Sequence, residues 1–153
     1  MRRLADALYS IVITWWVGAL FAIGYLAAPI LFVQLTDRPL AGALAGEMFR
    51  WVAWLGIACA TYLLLFLIAR RGFGALKSSI FWLVLAMLGL TLAGYFGIQP
   101  ILAQLKADAL PRQVMESALR DRFATWHGIS SGLYLLESLL GLLLVLWQER
   151  GKR

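Results

Sequence analysis

The sequence predicts an all-α fold: an integral membrane four-helix bundle with both termini in the cytoplasm. Of the 153 residues, 62% are hydrophobic and the mean hydropathy is +0.80, whereas soluble domains are about half apolar. The hydrophobic residues form four long runs, each near the roughly 20 residues that cross a bilayer core as a helix. Lys and Arg lie in short clusters between these runs, where they orient a membrane protein.

The four runs predict four spans within a single transmembrane domain that covers residues 1–153. The spans are about residues 9–35, 49–69, 79–102 and 123–147. They should be helices, because lipid offers backbone N–H and C=O groups no hydrogen-bond partners. Because the basic residues flank the spans, the net charge of +6 does not indicate a nucleic-acid partner. The partner that this composition predicts is the lipid bilayer.

The basic residues also predict which helix ends face the cytoplasm. The N-terminus, the connection after the second span and the C-terminus together hold eight Lys and Arg and two acidic residues. The other two connections hold six basic and five acidic residues. The positive-inside rule therefore places both termini in the cytoplasm. The expected location is the bacterial inner membrane, with several membrane passes.

Small residues and one connection predict further details of the bundle. Three spans carry small residues at helical spacing: Ala86, Gly89, Ala93 and Gly97 in the third, Ala53, Gly56 and Ala60 in the second, and Gly18 and Ala22 in the first. Small residues let membrane helices approach closely, so these stripes are expected at helix contacts. The connection 103–122 is expected to form a short amphipathic helix at the membrane surface, with Met115 and Leu119 on its apolar side.

The fourth span concentrates polar residues on one side. The stretch TWHGISSGLYLLES, residues 125–138, contains the one histidine of the chain and the candidate site residues His127, Ser130, Ser131, Tyr134 and Glu137. At 100° per residue these side chains share one side of the helix, and leucines occupy the other. The pattern predicts that the polar side faces into the bundle and that the leucines face lipid.

Glu137 is expected near mid-membrane, where a carboxylate costs on the order of 3 kcal/mol on insertion scales. No Lys or Arg lies in the middle of a span to pair with it. A protonated, hydrogen-bonded acid would resolve this cost. Two interpretations follow for this residue. It is either a proton or cation site, or an acid that hydrogen-bonds a neighbouring helix for structural reasons alone.

His127 also has two interpretations. As a metal ligand it would bind haem or copper together with Met48, Met115 or the histidine of a second copy. Alternatively, it is hydrogen-bonded near the start of a helix. The one cysteine, Cys59, lies in mid-span and is expected to be a small packing residue.

Other polar residues are expected at the outward end of the bundle. Asp37 and Arg38 follow the first span, Gln99 lies near the end of the third, and Arg122 precedes the fourth. Ordinary solvation accounts for such charges. The alternative is that Asp37 pairs with Arg122 and closes this end of the bundle.

Two stretches resemble a family of small bacterial membrane proteins of unknown function that is related to eukaryotic transmembrane protein 205. They are WWVGALFAIGYLAAPILFVQLTDRPLAGALAGEMF, residues 15–49, and FATWHGISS, residues 123–131. The matching positions are Trp16, Gly18, Ala28, Pro29, Leu31, Phe32, Asp37, Arg38, Ala41, Gly42, Phe49, His127 and Ser130. The resemblance implies four spans. The eukaryotic relative is associated with platinum-drug resistance. The bacterial family looks distantly similar to four-helix proteins of copper handling and haem synthesis, so the resemblance implies a similar four-helix fold.

Two functional hypotheses follow. The first is a membrane protein that is not an enzyme, and that acts as a partner subunit or in solute or metal handling through an outward-facing polar site around His127. Its partners would be the bilayer and a second copy or another membrane protein. The second is a haem- or copper-binding redox protein or a small membrane enzyme. The sequence contains no phosphate loop, nucleophile elbow or zinc motif that would name a reaction.

Overall fold

Helices account for almost all of the computed structural model, which describes residues 2–110 and 113–152. Four of them are long and apolar enough to cross a membrane. Helix α1 is Arg2–Phe21 continued by Ala22–Ala27 and Ala28–Gln34, α2 is Arg38–Arg71, α3 is Ser79–Leu92 continued by Ala93–Ile98 and Gln99–Asp108, and α4 is Arg120–Lys152. The predicted all-α class with four membrane helices is therefore confirmed.

The helices are longer than the predicted spans, most clearly at the start of α2. Only residues 35–37 separate α1 from α2. The Asp37 side chain accepts a hydrogen bond from the Leu40 N–H at 3.1 Å and so caps the new helix. Pro39 occupies its first turn, where a missing N–H does no harm. The polar residues before the second apolar run are therefore already helical.

The connection 103–122 does not form the predicted amphipathic helix. Helix α3 continues to Asp108, and a single 3₁₀ turn, Val114–Glu116, precedes α4. The Ser117 hydroxyl donates to the Val114 carbonyl and accepts from the Leu119 N–H, which closes this turn locally instead of extending it. Pro111 and Arg112, which belong to the same predicted segment, lie outside the described residues.

The four helices form a ring in which α1 packs on α2 and α4, and α3 packs on the same two helices. Large side chains fill its centre, among them Ile13, Trp16, Leu63 and Leu144, each fully buried. Many leucines of α4 are exposed on the outside of the ring, as the sequence predicts. Because lipid solvates apolar side chains, exposed leucines are the expected outer surface of such a bundle.

One of the predicted small-residue contacts is present and the others are not. Gly56 and Ala60 of α2 are buried against neighbouring helices. The stripe of Ala86, Gly89, Ala93 and Gly97 on α3 is exposed, as are Gly18 and Ala22 on α1. Helical spacing shows that these residues share a face. It does not show which face packs, and here larger side chains such as Trp16 and Met87 form the inner faces.

Both termini and the α2–α3 connection lie at one end of the bundle. Gly72 ends α2 with a φ of 55°, a backbone conformation that favours glycine. Arg70 of α2 donates to the Asp6 carboxylate of α1 at 2.5 Å. Arg71 donates to the backbone carbonyl of Arg150 at the end of α4. These contacts hold three helices together at the end that carries most of the basic residues. Arg153, part of the predicted C-terminal basic cluster, lies outside the described residues.

Helices α1 and α3 share a structural pattern near the middle of the bundle. Each contains a π-helical segment, Ala22–Ala27 in α1 and Ala93–Ile98 in α3, followed one residue later by a proline. The surrounding sequences, GYLAAPILFVQL at residues 24–35 and GYFGIQPILAQL at residues 94–105, share the motifs GY, PIL and QL in the same order, with PIL displaced by one residue. Buried residues before the segments also correspond at one constant separation, namely Tyr9 with Ile80, Ile13 with Val84, Trp16 with Met87 and Leu20 with Thr91.

Candidate functional site

The polar stripe of α4 divides into a buried part and an exposed part. Glu137 and Ser138 are buried, with 6% and 1% of their surfaces exposed. Tyr134 and Ser130 are half-buried, whereas His127 and Ser131 are exposed. The prediction that the whole stripe faces the interior is therefore wrong for His127 and Ser131. Both lie near the start of α4, and helical phase alone does not show how far the neighbouring helices cover that region.

The His127 ring stacks on Phe123, one turn earlier, with ring centroids 5.8 Å apart and an interplanar angle of 7°. The Ser131 hydroxyl donates to the His127 carbonyl within the same helix. Among the described residues there is no group of three or more His, Cys, Asp or Glu side chains that could hold a metal ion. The structure thus gathers no ligand set around His127, and the role of this residue as a metal ligand stays a prediction.

The predicted outward residues lie at one end of the bundle but do not form one site. Asp37 caps α2, and Arg38 donates to the Phe32 carbonyl at 3.0 Å. Gln99 is half-buried after the π segment of α3, and Arg122 borders a cavity beside α3. Within the part of the chain that the structure describes, Asp37 and Arg122 form no ion pair, so the expected closure of this end is not present.

A small polar layer lies at the centre of the bundle, with one residue from each helix. Its members are Trp16 of α1, Gly56 of α2, Thr91 of α3 and Glu137 of α4, all buried. All four residues lie at about the same distance from the helix ends that are opposite the termini. The layer is therefore well inside the membrane helices. Among the buried residues of the described chain, Glu137 is the one with an ionisable carboxyl group.

Thr91 joins Glu137 to the backbone of α3. Its Oγ1 lies 2.7 Å from Glu137 Oε1 and 3.0 Å from the Met87 carbonyl oxygen. A threonine hydroxyl has one hydrogen and two lone pairs, so it donates to only one of these oxygens at a time. If it donates to Met87, the Glu137–Thr91 contact requires a hydrogen on Glu137. If Glu137 is ionised, Thr91 must donate to it and leave Met87 to other partners.

Trp16 contributes the indole N–H to this layer. The side chain is fully buried, and its Nε1–H has no hydrogen-bond partner among the residues that the structure describes. A Cβ atom at Gly56 would lie 2.8 Å from Trp16 Nε1 and 3.6 Å from the Thr91 methyl carbon. Glycine at position 56 therefore lets the indole and Thr91 meet at α2. An unpaired buried donor is rare, and here it lies against the helix face that Thr91 also touches.

Tyr134 links α4 to the π segment of α1. Its hydroxyl donates to the Leu20 carbonyl at 2.7 Å. A Cβ atom at Gly24 would lie 2.3 Å from Tyr134 Cε1, so the phenol ring occupies the space that a side chain at position 24 would need. A π segment changes the backbone pairing from i+4 to i+5 and often occurs at functional positions. The wider turn and the missing side chain together admit the ring.

Helix α4 thus contacts α1 and α3 at corresponding positions. Tyr134 binds the backbone of Leu20, and Glu137 binds the side chain of Thr91. The Tyr134 ring also packs against Phe49 and Tyr25, with centroids 5.1 and 6.2 Å away. These three rings lie on the side of Glu137 that is farther from the termini.

Three members of this site were not identified from the sequence: Trp16, Gly24 and Thr91. Two signals would have indicated them. Thr91 is the one serine or threonine in the interior of its span, and Gly24 begins the GY…PIL…QL pattern that α1 shares with α3. No pattern in the sequence shows that Trp16 points inward while its neighbour Trp15 is 70% exposed.

Fold and site define a multi-pass membrane protein with a hydrogen-bonded carboxyl group inside a four-helix bundle. The chain belongs to a family described as domain of unknown function DUF4149, which matches residues 11–111. The match covers α1 from residue 11 onward and all of α2 and α3, so Trp16, Gly24 and Thr91 lie within it and Glu137 does not. No curated protein and no solved structure matches the chain.

Proposed function

We propose that the protein handles protons or a small cation in the bacterial inner membrane through Glu137, and that it is not an enzyme. The observation that carries this proposal is the Thr91–Glu137 hydrogen bond at 2.7 Å in the bundle interior. An ionisable residue within a membrane helix is costly, and such residues commonly belong to proton or ion pathways. Because Glu137 lies in the centre of the ring, its carboxyl group can bind a proton or a cation inside the bundle, where lipid offers no such group.

The proposed cycle uses the single hydrogen of Thr91. With Glu137 protonated, its O–H donates to Thr91 Oγ1 and Thr91 donates to the Met87 carbonyl. When Glu137 loses its proton, the Thr91 hydroxyl rotates and donates to the carboxylate. A proton or a cation that arrives at Glu137 reverses this rotation. The hydroxyl therefore supports both charge states with a change of one torsion angle, and no helix has to move.

The proposed orientation has both termini in the cytoplasm. It is supported by the excess of basic residues at the end of the bundle that holds both termini and the 72–77 turn. The exposed α3 stripe of Ala86, Gly89, Ala93 and Gly97 would let a second copy or another membrane protein approach closely. The relationship to transmembrane protein 205 also stays a proposal, supported by the residues that α1 and the start of α4 share with that family.

The proton proposal is tested by flux into liposomes that contain the purified protein and an internal pH-sensitive dye. A potassium diffusion gradient with valinomycin supplies the driving force. We expect wild-type flux well above that of empty liposomes, and a loss of about tenfold or more in Glu137→Gln, which keeps the shape and removes the proton-binding site. Glu116→Gln, an exposed carboxyl outside the helices, is the matched control and should keep wild-type flux.

Two results would contradict the proposal. One is that the wild-type protein conducts neither protons nor alkali cations faster than empty liposomes do. The other is undiminished flux in Glu137→Gln. An absorbance spectrum and copper analysis of the same preparation test the haem or copper alternative, because a Soret band or stoichiometric copper would favour a redox protein with His127 as a ligand.

A further inference from the structure

A cavity of about 160 Å³ lies between the end of α3 and the start of α4. Its walls are Ile101, Gln104, Leu105 and Asp108 of α3 and Arg122 of α4. Asp108 is the last residue of α3, and Arg122 lies in the first turn of α4. The cavity is therefore at the end of the membrane helices, at the level where lipid headgroups meet the protein.

The cavity is lined by one negative and one positive side chain. Asp108 and Arg122 both line it, yet no ion pair joins them within the described residues. Gln104, one turn before Asp108 on α3, adds an amide to the lining. Ile101 and Leu105 supply the apolar wall on the side of the helix body. A ligand that satisfies all of these groups needs an anionic part, a cationic part and an apolar continuation.

A second positive group, Lys106, lies at the same contact between α3 and α4 but does not line the cavity. The Lys106 ammonium is 5.7 Å from the centre of the Phe123 ring, and Phe123 directly follows Arg122 in α4. Two basic residues therefore flank this part of the α3–α4 contact, and one carboxylate lies at its end. Guanidinium groups suit phosphate oxygens particularly well, because their N–H donors match two oxygens at once.

The volume of the cavity further restricts the kind of ligand that it can hold. It is smaller than the roughly 300–1,000 Å³ typical of sites for drug-sized molecules, and it is much larger than a single ion or water, whose share of liquid volume is about 30 Å³. We propose that this cavity binds the phosphoethanolamine headgroup of a membrane lipid, with the phosphate on Arg122 and the ammonium on Asp108. The glycerol and the first acyl carbons lie along Ile101 and Leu105.

The test is native mass spectrometry of the full-length protein in detergent, titrated with single lipids of matched acyl chains. We expect phosphatidylethanolamine to bind about tenfold more tightly than phosphatidylcholine, because a trimethylated ammonium cannot donate hydrogen bonds to Asp108. Phosphatidylglycerol, which has the phosphate and no ammonium, should bind more weakly than phosphatidylethanolamine for the same reason.

Two substitutions separate the two halves of the proposed site. Asp108→Asn should remove the preference for phosphatidylethanolamine and leave the weaker phosphate binding. Arg122→Gln should weaken all three phospholipids. Matched controls are Asp121→Asn and Arg120→Gln, exposed neighbours that do not line the cavity, and both should behave like the wild type.

The proposal is overturned if Asp108→Asn keeps the full preference for phosphatidylethanolamine, or if the two controls lose as much binding as the cavity variants. A further arm decides the source of the headgroup. Soluble phosphoethanolamine should bind at least about tenfold more weakly than the lipid, because it lacks the part that Ile101 and Leu105 contact. Equal affinity for the soluble compound would overturn the assignment to a lipid.

Discussion

Trp16→Ala is expected to destabilise the bundle by about 3–5 kcal/mol, the range measured for large aromatic residues removed from cores. Trp16 is fully buried at the level of Thr91 and Glu137 and packs against Gly56. In a membrane bundle the loss arises mainly from packing contacts, because lipid is as apolar as the core.

The matched control for this substitution is Trp15→Ala. Trp15 is the adjacent residue, it has the same side chain, and it is 70% exposed on the outside of the ring. Thermal unfolding of both variants in the same detergent is the measurement. We expect a large drop in midpoint temperature for Trp16→Ala and a small one for Trp15→Ala. Equal drops would show that the indole at position 16 is not a core residue.

Gly24→Val is expected to have the second large effect. A Cβ atom at position 24 would lie 2.3 Å from Tyr134 Cε1 and 2.9 Å from its hydroxyl oxygen, so the phenol must leave the π segment of α1. The protein then loses the hydrogen bond to Leu20 and the packing of the ring between helices. Overpacking of this kind typically costs about 1–3 kcal/mol, and occasionally more.

Gly18→Val in the same helix is the control, because nothing lies within 4 Å of a Cβ atom at Gly18. Tyr134→Phe separates the hydrogen bond from the ring packing and should cost only about 1 kcal/mol. The measurement is again thermal unfolding in detergent. If Gly24→Val and Gly18→Val are equally stable, Tyr134 does not occupy the π segment of α1.

The sequence is sufficient to predict the number and type of the membrane helices. Apolar runs of bilayer length can only be helices in lipid, and the structure has four helices of that kind. The helix ends were less predictable. Pro39 suits the first turn of a helix and does lie in the first turn of α2, but the sequence did not show that this helix continues without a break into the second apolar run.

The site was predicted only in part, for a physical reason that His127 and Glu137 illustrate. Both lie on the polar side of α4 by helical phase, yet His127 is exposed and Glu137 is buried. Which residues are covered depends on where α1 and α3 lie against α4, and helical phase does not record this. The motifs that α1 and α3 share were visible in the sequence and would have directed attention to Gly24.

We propose that Glu137 is protonated in the resting protein and that its O–H then donates to Thr91 Oγ1. Infrared spectroscopy of the reconstituted protein at neutral pH tests this most directly, because a protonated carboxylic acid has a C=O band that a carboxylate lacks. We predict that the wild type shows this band, that Thr91→Val shifts it, and that Glu137→Gln abolishes it while Glu116→Gln does not. A wild-type spectrum without the band, or a band that survives in Glu137→Gln, would contradict the account.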